Sequence, residues 1–202
     1  MFEKIPEVVG EADAPSWQHF LWGAWFCGRR LKDLLRLRWD KGELAIMELD
    51  TPKGALVVAH AASKGGRADR IPLRLMPGFR RLLRRMPPEA RHGLVFRPLW
   101  NGQPADYYRV SKAVTAIGKA AGVVVDRRMV WDDDKQEEVE RVEYAGCHAI
   151  RRACITRWAL RHTPPVLQRL ADHATIETTM KCYVDVDLEK LYRRERRRER
   201  RE

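Results

Sequence analysis

The chain has 202 residues and a formal charge of +11, with 45% hydrophobic and 33% charged side chains. This length supports one domain that buries a core without staples, and the longest apolar stretch, around Trp22 to Cys27, is far too short to span a bilayer. The basic excess points to a polyanion, nucleic acid being the commonest, or to solubility alone.

Residues 1–15 are polar, carry two prolines and read as an N-terminal arm. Ser16 is placed to cap a helix through Trp17 to about Cys27. Gly28 interrupts it, and Leu31, Leu34 and Leu35 then give helical i, i+3, i+4 spacing. Residues 43–73 predict a small antiparallel sheet: Glu43–Leu49, a turn at Thr51-Pro52-Lys53-Gly54, Ala55–His60, a hairpin tip at Lys64-Gly65-Gly66, and Asp69–Leu73. Pro77 opens a helix that puts Phe79, Leu82, Leu83 and Met86 on one face. Another helix is expected over 104–121, closed by Gly122. Residues 126–143 are strongly charged with some alternation and read as an exposed hairpin or a flexible insertion. A helix from about His148 to Arg161 stops before Pro164-Pro165, a short one covers Val166–Ala171, and Thr175 caps a last one running towards Tyr183. The end, Leu188–Glu202, is a charge-dense helix or frayed arm whose final ten residues carry a net +4. Helices, then a small sheet, then more helices make an α+β, mainly helical fold and not a βαβ array.

Cys27, Cys147, Cys154 and Cys182 form no C-x-x-C pair, so zinc, dithiol chemistry and a disulfide framework are not indicated. No Gly-rich phosphate loop follows a strand, and no signal peptide is visible, so neither cofactor nor metal is expected and the cytoplasm is the expected location.

The chemistry-bearing residues begin with His148 and Arg151, which share a helix face at i, i+3. A guanidinium fork beside a titratable imidazole suits a phosphate, although the same pair also fits a solvated helix face. Ile150, Cys154 and Trp158, at i, i+4, i+8, look like core. Upstream stands Cys27-Gly28-Arg29-Arg30-Leu31-Lys32-Asp33-Leu34, with Trp39 further on; between lies Lys64 on its hairpin; downstream stands Leu170-Ala171-Asp172-His173, then Thr178-Thr179-Met180-Lys181-Cys182-Tyr183.

This ordered set resembles the catalytic domain of the tyrosine recombinases, the phage integrase family, over about residues 16–186, with 187–202 as a basic tail. The resemblance implies the DNA breaking-rejoining fold with its small antiparallel sheet. It implies double-stranded DNA as partner, a homo-oligomer on that DNA, and site-specific recombination or integration through a 3′-phosphotyrosine. Residue by residue, it puts Arg30 and Arg151 at the two phosphate-clamping arginines, which would stabilise a pentacoordinate transition state without a metal. Lys64 matches the lysine that protonates the leaving 5′-oxygen, His148 an acid/base or phosphate donor, and His173 a phosphate donor. An ordinary turn lysine and a core histidine are the plain alternatives for Lys64 and His173.

The sequence departs from the family pattern in three places. The family's attacking tyrosine aligns with Cys182, and Tyr183 follows one residue later, a rotation of about 100° on a helix. Three outcomes are open: Tyr183 brought in by a helix irregularity, attack by Cys182, or a catalytically inactive or truncated DNA-binding relative. Where the family has Leu-Gly-His this chain has Leu170-Ala171-Asp172-His173, which puts Asp172 near the site, and an extra carboxylate there repels phosphate slightly. About fifteen residues precede the matched part, so the family's N-terminal DNA-clamping domain is expected to be missing. An unrelated RNA-binding protein is the remaining, remoter reading of the charge.

Overall fold

A computed structural model of the chain describes residues 1–39, 41–63, 66 and 68–184. Residues 1–15, expected as an arm, are part of the body: a 3-10 turn, Phe2–Lys4, leads into α1, Ile5–Val9. Ile5 and Val9 are buried in the core, because their i, i+4 spacing gives this short polar segment one apolar face.

Helix α2, Ala14–Cys27, is the centre of the core. Trp17, Phe20 and Leu21 are fully buried, and Phe96 meets Phe20 edge-on with ring centroids 6.2 Å apart. Ser16 is not the N-cap: Asp13 takes that position, and the Ser16 hydroxyl donates to the Asp13 carbonyl at 2.7 Å. Gly28 ends the helix in the left-handed region at φ 61°, where glycine carries no Cβ penalty. Its absent side chain also lets Cys154 and Trp158 come within about 3 Å of where a Cβ would stand.

After α3, Leu31–Arg36, come β1, Leu44–Met47, β2, Ala55–Val58, and β3, Asp69–Pro72. They form one antiparallel sheet in the order β1-β2-β3, in register Leu56↔Ile46 and Leu56↔Ile71. Helix α4, Pro77–Arg84, buries Phe79, Leu82 and Leu83 as the periodicity predicts.

The helix predicted over 104–121 is shorter, because the two-residue turn Asn101-Gly102 makes a hairpin first. Both residues have positive φ, 50° and 74°, and join β4, Leu99–Trp100, to β5, Gln103–Pro104. Asp106 then caps α5, Tyr107–Ala120, by accepting from the Arg109 amide at 2.7 Å. The charged segment is an ordered hairpin: β6, Val124–Asp132, pairs with β7, Glu137–Tyr144.

Helix α6, Cys147–Ala159, follows, then α7, Pro164–Ala171, and α8, Ile176–Val184. Ile150, Cys154 and Trp158 are core residues, packed under α2. No helix among the described residues is long and apolar enough to cross a membrane.

Candidate functional site

Four elements bring the predicted residues to one place. Arg30 is the residue before α3, His148 and Arg151 lie on the first turns of α6, and His173 follows the end of α7. All four line one groove of about 1340 Å³, with Arg152, Thr178, residues of α5 and residues of the β6–β7 hairpin. Gly146 and Cys147 line it too, so the N-terminal end of α6, where amides lack helical acceptors, faces the same space. Guanidinium groups around a helix N-terminus make a seat for an anion.

Arg151 is buried, 7% exposed, and acts first as a brace. Its Nη1 donates to the Gly28 carbonyl at 2.5 Å and its Nη2 to the Ala171 carbonyl at 2.6 Å. Those carbonyls stand at the C-terminal ends of α2 and α7, where acceptors lack helical donors and the dipole favours a cation. Burial, and then the charges of Arg30 and Arg29, lower its pKa to about 10. A groove-bound anion would offset that repulsion.

Arg30 is engaged differently. Its Nη1 donates to Asp172 Oδ2 at 2.5 Å and its Nη2 to the Asp172 carbonyl at 2.8 Å; Asp33 lies 3.8 Å away. Asp172 also accepts from Ser63 Oγ at 2.8 Å, and the buried Arg29 lies 3.6 Å from Oδ2. Asp172 therefore does more than repel an incoming phosphate: its carboxylate is an anion already held by the arginine cluster. Its backbone is left-handed, φ 53° and ψ 49°, at the C-cap of α7, a conformation natural to glycine and tolerated by aspartate.

His173 is only partly buried, so it is not a core histidine, and its Nδ1 lies 3.1 Å from the hydroxyl of the fully buried Thr179. That contact orients the imidazole at the groove. His148 is exposed on the groove wall.

Tyr183 does not join them. Its hydroxyl donates to the His162 carbonyl at 2.5 Å, and its ring borders an apolar patch with Ile176 and Met180. Burial, then Cys182, raises the pKa of its phenol, which disfavours the phenolate. Cys182 stands one helical turn after the groove-lining Thr178, and its Sγ lies 3.7 Å from the Thr178 carbonyl. The helix is regular here, so the position matched to the family's tyrosine follows Thr178 and the tyrosine itself is turned away. Cys147 lines the groove, but burial pushes its thiol up to about 12, so it is protonated near neutral pH. Lys64 and the tail 187–202 lie outside the described residues. Among the described residues no three of His, Cys, Asp or Glu converge as metal ligands.

Neither a protein-family model nor a curated protein matches the sequence. Solved structures do. The Tn1549 transposon integrase in complex with transposon right end DNA aligns with a TM-score of 0.54 and 16% identity, over 96% of this chain and 62% of that one. A lambda integrase dimer bound to a COC′ core site gives 0.56 and 12%, over 90% and 56%. The XerH site-specific recombinase bound to a palindromic difH substrate gives 0.53 and 20%, over 94% and 48%. The fold is that of the tyrosine recombinase catalytic domain. This chain spans about half to three-fifths of the recombinase chains it matches.

Reasoning from spacing missed several groove residues of this recombinase fold. Arg152, at i+4 from His148, could have been found from helical phase; Arg128 and Arg141 reach the groove, and Arg29 and Ser63 reach Asp172, only through tertiary packing.

Proposed function

We propose that this chain binds double-stranded DNA in the groove and takes part in site-specific recombination as a phosphate-holding relative that does not itself cleave while α8 keeps this arrangement. The observation that carries the reading is the convergence of Arg30, His148, Arg151 and His173 on one groove beside the α6 N-terminus. Such a set would hold the non-bridging oxygens of a backbone phosphate and stabilise added negative charge on it. Lys64 would serve as the acid to a leaving 5′-oxygen. An in-line attack needs a nucleophile in the same groove, and the hydrogen bond from Tyr183 to His162 keeps the only tyrosine of α8 elsewhere. The proposed partners are duplex DNA and further copies of the chain on it, in a soluble intracellular setting.

A second reading keeps catalysis. Tyr183 is partly exposed and one residue from the matched position. A local over- or under-winding of α8 would bring its hydroxyl to the phosphate, forming a 3′-phosphotyrosine as the 5′-oxygen leaves with a proton; the stored ester bond then allows religation without ATP.

A nicked suicide duplex carrying the recombination site separates the two. The first reading expects no denaturant-resistant protein–DNA adduct from the natural chain and an adduct from Cys182→Tyr. An adduct formed by the natural chain and lost in Tyr183→Phe would establish the second. Failure of the natural chain to bind any duplex would remove both.

A further inference from the structure

The β6–β7 hairpin supplies a wall of the groove, and its charges are arranged by rung. Residues directly opposite on antiparallel strands share a face, as do residues two apart on one strand. Arg128 faces Arg141 and, two residues nearer the base, Asp126 faces Glu143. These four line the groove. On the opposite face Arg127 is paired with Glu140 at 3.1 Å. Among the described residues Arg128 and Arg141 have neither a hydrogen bond nor an ion pair, and both are exposed.

Two like charges on one rung destabilise a hairpin when nothing neutralises them. Here neither arginine has an ion pair among the described residues; the acidic rung Asp126–Glu143 stands next to theirs on the same face, and Arg127 on the other face has found its own partner. Two guanidinium forks side by side match one phosphate, each offering parallel N–H donors. The acidic rung beneath confines the positive seat to Arg128 and Arg141, so the hairpin is not a uniformly basic surface. The groove runs unbroken from this rung to Arg30 and Arg151. A linear polyanion can occupy both ends at once, which a single small phosphate cannot.

We infer that the Arg128–Arg141 rung is a second phosphate seat, which holds a backbone phosphate of the same duplex whose other phosphate lies at the Arg30–Arg151 cluster. The inference rests on the DNA-binding reading above. The hairpin thereby acts as an arm that fixes the direction of the duplex across the groove, by backbone contact and without reading bases.

The test is a salt titration of duplex affinity, followed by fluorescence anisotropy, for the natural chain and four variants. Each phosphate contact contributes about one unit to the slope of log affinity against log salt. Arg128→Ala with Arg141→Ala is expected to weaken binding several-fold and to flatten the slope by about one. The paired lysine replacements should keep the slope, since both charges remain. Arg127→Ala, on the far face, should change neither quantity. Arg30→Ala reports the cluster independently. If the double alanine variant keeps the natural slope while Arg30→Ala weakens binding, the second seat is wrong and the DNA reading stands. If the natural chain shows no affinity for duplex DNA, both fall. Circular dichroism of each variant establishes that the exposed hairpin substitutions leave the fold intact.

Discussion

The carboxylate of Asp172 lies 2.5 Å from Arg30, 2.8 Å from Ser63 and 3.6 Å from Arg29, so the Arg30 guanidinium already holds an anion of the chain's own. Any phosphate reaching Arg30 competes with that contact. Asp172→Gly removes the competitor at a left-handed position that glycine accepts without strain. Duplex affinity should rise by about tenfold, or ~1.4 kcal/mol, measured at one fixed salt concentration. Equal or weaker binding would mean that the carboxylate orients Arg30 instead of blocking it. The residue types of this site were legible in the sequence: Arg30 from its distance to Gly28, His148 and Arg151 from their helical spacing, His173 from its place before Thr178-Thr179. The engagement of Arg30 by Asp172 was not, because it depends on the direction of one Cα–Cβ bond at a left-handed cap.

Helical phase governs what each element presents to the groove. On α8 a shift of one residue separates Cys182, one turn from Thr178, from Tyr183, which reaches the His162 carbonyl instead. The start of α6 is set by a close approach. A Cβ on Gly118 of α5 would lie 2.0 Å from the Ala145 carbonyl oxygen, just ahead of Gly146 and His148. Gly118→Ala must push that segment outward and carry the α6 N-terminus with it. Thermal denaturation should show a loss of about 1–3 kcal/mol, accompanied by weaker duplex binding. An alanine variant with natural stability would show that α5 and the β7–α6 junction yield to each other. Apolar periodicity was a sound guide to α4 and α6, whose stripes are long. It failed for α1, where two apolar residues one turn apart suffice once α2 and α5 cover them, and it overlooked the Asn101-Gly102 turn that delays α5.

Across the molecule, the sheet and the last helices are joined beside the arginine cluster. Ser63, between β2 and β3, bonds Asp172, and Asp69 at the start of β3 pairs with Arg169 of α7. The hydrogen bond from Arg169 holds the Asp69 carboxyl below its usual range despite some burial, while Arg169 itself stays charged. A carboxyl whose pKa is lower in the folded than in the unfolded chain stabilises the fold above the ordinary aspartate range. That stabilisation is lost as pH falls through the lowered value. Comparing the melting temperature of the natural chain with Asp69→Asn should therefore show a gap at neutral pH that closes on acidification. A gap that persists unchanged in strong acid would show that the pair is not the cause.

The sequence by itself determined most of the helices, the three-stranded sheet and the order of the chemistry-bearing residues, because hydrophobic period, turn residues and spacing are local properties written along the chain. Only the tertiary structure decided that those residues meet, that Arg151 is spent partly on the carbonyl ends of two helices, that Asp172 occupies Arg30, and that Tyr183 faces away. Each of these depends on how helices separated by many residues are rotated against one another, and that rotation is fixed by the packed core and not by any one segment.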